Sequence, residues 1–227
     1  MKNFFKNKIA LVTGSSRGFG YSVALKLAQE GADLIITSRT TGALEELSEK
    51  ILNYGGKVTV APFDLRNQHH TQLFCKNIYE KFGEIDLFIH SAFLAIPMAP
   101  VETISEKDVF KYFESNTFLT QRLIKSIHPL LKKQKDSIAV FIGDNTKKTN
   151  KKFLGIHNAI QAANREIVMS YSEETQRIGP KVLLFEPLPM PTKTRNIMFP
   201  GEDKKKLSSC KDEANKLIKL LIDSIKN

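Results

Sequence analysis

Six short apolar runs punctuate the chain: Ile9 to Val12, Leu34 to Ile36, Val58 to Val60, Ile85 to Ile89, Ile138 to Ile142 and Val182 to Phe185. Short, largely apolar stretches of this length predict strands that are covered on both faces. Between them, apolar positions recur three and four residues apart, as in Val23, Ala24, Leu27 and Ala28, in Leu44, Leu47 and Ile51, and in Leu123, Ile127, Leu130 and Leu131. That spacing is the stripe of an amphipathic helix. Each crossover is long enough to hold a helix, which forces parallel pairing and places helices on both faces of the sheet. The expected fold is α/β, a doubly wound parallel sheet of six strands. At 227 residues, with no repeat and no Pro/Gly/Ser-rich linker, the chain reads as one domain over 1–227. In such sheets ligands bind beyond the carboxyl ends of the strands, so the loops there are where chemistry is sought.

The first strand runs into Thr13-Gly14-Ser15-Ser16-Arg17-Gly18-Phe19-Gly20, which opens directly into the Val23/Leu27 helix. Glycines let a backbone turn tightly against a pyrophosphate whose charge faces a helix N-terminus. This TGxxxGxG spacing, with the strand order and the landmarks below, resembles the short-chain dehydrogenase/reductase family over roughly residues 8 to 192. The resemblance implies a Rossmann-type fold and a dinucleotide on Gly14, Ser16, Arg17, Gly18, Phe19 and Gly20. Where the family would carry an acidic residue for an adenosine ribose, this chain has Ser38-Arg39. Arg39 with Arg17 suits a 2′-phosphate, so NADP(H) is favoured over NAD(H); two exposed loop arginines are the plainer alternative. Asp64-Leu65 looks like the family's Asp segment at the adenine edge, and an Asp in a turn or helix cap explains it equally. The family's Asn-Asn-Ala-Gly becomes His90-Ser91-Ala92-Phe93, of which only Ala92 matches, and Phe93 puts a ring where backbone is expected to approach the cofactor. Pro187-Leu188-Pro189-Met190-Pro191-Thr192 resembles the family's PGxxxT beside the nicotinamide, with Leu188 for Gly and Thr192 as the carboxamide partner.

The family reduces carbonyls with a Tyr, a Lys four residues on, a Ser and an Asn. The tyrosines here, Tyr21, Tyr54, Tyr79, Tyr112 and Tyr171, are followed at that distance by Leu25, Val58, Gly83, Asn116 and Thr175, so the YxxxK motif is missing. Aligned on the fifth strand and the small-residue helix after it, Asp144 replaces Ser, His157 replaces Tyr and Gln161 replaces Lys; Asn116 keeps its place. The thirteen positions from Asp144 to His157 are the family's Ser-to-Tyr interval. Two functions lead, with a purely structural subunit that binds no cofactor as a third. One is a divergent NADP(H)-binding protein without ordinary carbonyl-reductase activity, a pseudoenzyme. The other is an NADPH-dependent oxidoreductase that uses His157 as proton donor with Asp144 in support.

A formal charge of +10 raises the question of anionic partners, but the lysines are scattered without a nucleic-acid motif, and a solvated basic surface accounts for them. The run Lys147 to Lys152 should border the cleft, where it suits a small anionic substrate or an acidic protein; a solvated loop is the plainer alternative. Four apolar residues after a basic start are too few for a signal or a membrane span, so a cytoplasmic protein is expected. Cys75 and Cys210 have no metal-ligand spacing, and no metal is expected. The segment Met198 to Leu207 reads as a lid or surface segment, and Asp212 to Ile225 as a last amphipathic helix. The family's seventh strand is expected to be missing. A homodimer through the helices Glu106 to Lys132 and Ile156 to Arg177, using Phe110, Phe113, Ala159 and Ala163, is the expected assembly.

Overall fold

The computed structural model describes residues 3–131, 137–144 and 152–226. Among them, six strands form one sheet: β1 (Ile9–Thr13), β2 (Asp33–Ser38), β3 (Val58–Pro62), β4 (Leu87–His90), β5 (Ile138–Ile142) and β6 (Lys181–Phe185). All pairs are parallel, in the order β3-β2-β1-β4-β5-β6. The helices are α1 (Gly18–Gln29), α2 (Thr41–Asn53), α3 (Gln68–Phe82), α4 (Glu106–Phe113), α5 (Leu119–Leu131), α6 (Gly155–Thr175), α7 (Lys193–Met198) and α8 (Cys210–Lys226).

Two cores explain why the strands read as largely apolar runs. Alternate residues of a strand face opposite sides. Ala10 and Val12 of β1, with Leu34 and Ile36 of β2, meet α1, α2 and α8. Leu11 and Ile35 turn the other way, toward α3, α5 and α6. Both faces of the central strands therefore need apolar side chains, and the period-two signal disappears.

The stretch from Glu106, expected as one helix, is interrupted by a π-turn over Glu114–Phe118. The wider turn accommodates an extra residue and points Ser115, Asn116 and Thr117 into the protein, where all three are buried. Lys132 lies outside the described residues, as does all of the lysine run except Lys152. The expected lid segment is tied down: Arg195 of α7 donates from Nε and Nη2 to the two carboxylate oxygens of Glu202 at 2.6 Å each, and its guanidinium lies 3.9 Å from the Phe199 ring centroid. No helix among the described residues is long and apolar enough to cross a membrane.

At the carboxyl edge of the sheet Thr13 pairs in register with Thr37 on one side and His90 on the other. The strand order reverses between β1 and β4, the topological position where a doubly wound sheet leaves a crevice.

Candidate functional site

The turn after β1 shows why its glycines are needed. Gly14 has φ +68°, and a Cβ there would stand 2.7 Å from the Ala92 backbone nitrogen. A Cβ on Gly20 would stand 2.5 Å from the Gly14 carbonyl oxygen, so the turn closes on itself and on the loop after β4 without room for side chains. Arg17, in extended conformation, precedes α1, and no side chain caps the helix. The first amides of α1 are therefore available to an anionic ligand rather than to a side-chain cap.

A cavity of about 450 Å³ runs from this turn past the ends of β2 and β3 to β5 and the loop after β6. The wall on the β2 and β3 side includes Arg17, Ser38, Arg39, Thr40 and Asp64. Arg17 donates to Thr40 Oγ1 at 3.5 Å, which directs it toward the end of β2. Asp64 is engaged by Arg66, whose backbone N and Nε each donate to Oδ1 at 3.0 Å; the same neighbour's hydrogen bonds hold the Asp64 carboxyl below its ordinary range. Of the residues assigned to the cofactor from sequence, Gly14, Ser16, Arg17, Gly18, Phe19, Arg39, Asp64, Leu65, Ala92 and Thr192 line this cavity. Gly20 lies behind the turn, against Gly14. Thr192 has a second duty: its hydroxyl accepts the Arg195 amide at 3.1 Å and caps α7.

Phe93 lines the cavity, as expected of a ring at this place. The close backbone approach falls at Ala92, and the Phe93 ring stands edge-on to His157 with centroids 5.7 Å apart. His90, one of the departures from the family pattern, belongs to the core. The Ala92 amide donates to Thr13 Oγ1 at 3.4 Å; Thr13 Oγ1 lies 2.9 Å from His90 Nδ1; His90 Nε2 lies 3.4 Å from Thr120 Oγ1; and Thr120 donates to the Asn116 carbonyl at 2.7 Å. Read in one direction, each hydroxyl accepts once and donates once, which assigns the neutral Nε2–H form to His90. Burial alone lowers its pKa to about 4, in keeping with that form.

The positions aligned with the family's catalytic set do come together. His157 Nε2 lies 3.2 Å from Asp144 Oδ2, and the Asp144 amide donates to Gln161 Oε1 at 3.1 Å. The His157 side chain is 3% exposed and that of Asp144 33%, so the carboxylate stands nearer the open cleft. His157 Nδ1 is buried and has no hydrogen-bond partner among the described residues. A buried N–H without a partner is costly, so the proton belongs on Nε2, where it is donated to Asp144. Asn116 turns inward from the π-turn: Oδ1 accepts the Leu94 amide at 2.8 Å while Nδ2 donates to the carbonyls of Leu94 and Tyr112. It lines a second, smaller cavity beside the first and shapes the loop after β4. No cluster of three or more potential metal ligands occurs among the described residues.

The sequence did not single out Arg66, Thr120 or the hydroxyl of Thr13, nor Glu213, whose carboxylate accepts the Leu188 amide at 3.0 Å in the loop after β6. Arg66 directly follows the Asp64-Leu65 landmark and Thr120 sits one helical turn beyond Asn116, so both had a local signal. Thr13 and Glu213 acquire their roles only through partners 77 and 25 residues away.

The family model for short chain dehydrogenase matches residues 8–203. An uncharacterized oxidoreductase, SERP2049, of Staphylococcus epidermidis is 29% identical over 187 residues, which is 80% of this chain and 77% of that protein. The short-chain dehydrogenase from Shigella flexneri superimposes with a TM-score of 0.87 at 22% identity, covering 99% of this chain and 87% of the other. A metagenomic short-chain oxidoreductase solved in complex with NADP gives a TM-score of 0.85 at 20% identity over 99% and 95% of the two chains. With its glycine turn, its strand order and a family match that spans most of its length, this chain belongs to the short-chain dehydrogenase family.

Proposed function

We propose that this protein binds NADP(H) in the cleft and does not carry out the family's ordinary carbonyl reduction. The observation that carries this reading is the closed set His157–Asp144–Gln161: the ring nitrogen that bears the proton is turned to Asp144, and Gln161 accepts from the Asp144 backbone. Carbonyl reduction needs a donor aimed at the substrate oxygen and a cation that lowers its pKa. Here the His157 ring, its proton turned to Asp144, stands where the family's Tyr would, a carboxylate stands where its Ser would, and a neutral amide stands where the ammonium would. Loss of general acid catalysis raises the barrier by roughly 3–5 kcal/mol.

The residues present fit the dinucleotide. Gly14 and Gly18 leave room for a pyrophosphate over the uncapped start of α1, Arg17 and Arg39 suit a 2′-phosphate, and Asp64 and Leu65 flank the place for adenine. Thr192 and Ala92 border the nicotinamide end. When bound, NADPH supplies a hydride; the chain's own residues bind and orient it. The NADP complex of the metagenomic relative supports the same cofactor class. We place the protein in the cytoplasm as a single domain. Phe110 is 63% exposed and Ala159 is exposed, with Phe113 and Ala163 half-buried, which suits pairing of two copies through these helices.

One observation favours a second reading. The 3.2 Å contact between His157 and Asp144 is a hydrogen-bonded acid–base pair inside the cleft, and such a pair can hold and release a proton. NADPH oxidation with a panel of aldehydes and ketones separates the two. The first reading expects the rate without protein; turnover abolished by His157→Phe would overturn it and establish His157 as the donor.

A further inference from the structure

Pro187 to Thr192, the loop after β6, forms one wall of the cleft, and three of its residues are prolines that have no amide to anchor it. What holds it comes from α8. The Leu188 amide donates to Glu213 Oε2 at 3.0 Å, Ser208 Oγ donates to Glu213 Oε1 at 2.6 Å, and the Ser208 amide donates to the Pro189 carbonyl at 3.0 Å. Lys216 adds a fourth contact, 2.6 Å from Oε1. The result is a ring of bonds from Leu188 through Glu213 and Ser208 back to Pro189.

Glu213 is 1% exposed. Burying a carboxylate is unfavourable unless donors satisfy its oxygens. Burial pushes its pKa up, but the hydrogen bonds from Lys216, Ser208 and Leu188 together outweigh it and the net shift is down. The first turn of a helix also favours a negative side chain. Leu188, whose amide is held, is 56% exposed and lines the cavity, so the backbone is fixed while its side chain projects outward.

We infer that Glu213 is a positioning residue: through the Leu188 amide it sets the wall against which the nicotinamide half of the cofactor lies, and so couples the last helix to the cleft. This rests on the dinucleotide reading above. On that reading the adenosine half would lie against Arg17, Arg39 and Asp64, whereas the bonds of Glu213 go to Leu188, Ser208 and Lys216.

The test measures affinities of NADPH and of adenosine 2′,5′-bisphosphate, which lacks the nicotinamide half, for the wild type, Glu213→Ala, Glu213→Gln and Ser208→Ala. Loss of a charge-assisted bond to the wall should weaken NADPH about tenfold in Glu213→Ala. Adenosine 2′,5′-bisphosphate should change less than about twofold, within ordinary scatter for an uninvolved site. Glu213→Gln keeps a carbonyl oxygen for Leu188 and should fall between; Ser208→Ala, which leaves Glu213 in place, keeps the inference testable if Glu213→Ala fails to fold, and should also weaken NADPH selectively. Equal weakening of both ligands, or no change in NADPH, overturns the inference. If the wild type binds neither ligand, the dinucleotide reading fails, and hydrogen exchange judges the clip: faster exchange of the Leu188 amide in the variants, with β6 unchanged, supports it, and unchanged Leu188 exchange overturns it.

Discussion

His90 shows how one side chain can resemble a site residue and be a core residue. It stacks on Phe88 at 6.1 Å, meets Phe141 edge-on at 6.0 Å, and joins Thr13 to Thr120 in a polar chain that requires a neutral ring. Burial lowers its pKa to about 4, whereas a histidine in the unfolded chain titrates near ~6.5. Between those values the unfolded chain takes up a proton that the native ring refuses. Its contribution is therefore complete above pH ~6.5 and is lost progressively as the pH falls toward about 4. From pH ~7 to ~5 the wild type should lose about 2 kcal/mol more than His90→Asn in urea unfolding. Parallel pH profiles for the two proteins would show that His90 titrates normally. The sequence placed His90 at a strand end, but its partners lie 77 and 30 positions away, so no local pattern distinguishes it from a ligand. Asp144, His157 and Gln161 were legible because strand and helix fix the spacing between them; which way the His157 ring nitrogen points is a matter of packing that spacing does not carry.

At the scale of elements, the strands were the most legible part because each must satisfy two cores at once. The helix from Glu106 was less so. The π-turn adds a single residue to the helical count, too small a phase change to see in apolar spacing, yet it is what turns Asn116 inward. The glycine turn gives an element-level prediction. Gly14 and Gly55 both have positive φ, +68° and +77°, but only at Gly14 does a Cβ meet backbone; at Gly55 nothing lies within 4 Å. Gly55→Ala should cost about 1 kcal/mol, the conformational penalty alone. Gly14→Ala must also displace the β4 loop at Ala92, and should cost at least about 2 kcal/mol more. Thermal or urea unfolding of the pair reads the difference; equal costs would mean that the approach of Ala92 to the turn is loose.

In the molecule as a whole, the sheet order brings Thr13, Arg39, Asp64, Ala92, Asp144 and Thr192 to one edge, although they are spread over most of the chain. The scaffold of the short-chain dehydrogenase family is present; on the proposed reading it keeps a dinucleotide cleft and has lost the side chains for proton transfer. The account joins two statements, a retained NADP(H) site and a changed reaction centre, and the first must hold for the second to matter. Ligand that binds the native state raises apparent stability by mass action. The most direct measurement is thermal melting of the wild type alone, with NADPH and with NADH at equal millimolar concentration. The account expects NADPH at about 100 times its Kd to stabilise by about 2.7 kcal/mol, a rise of roughly 5–10 °C, with a clearly smaller rise for NADH that Arg39→Ala makes equal. Melting temperatures unmoved by either nucleotide, or moved equally by both in the wild type, would contradict it.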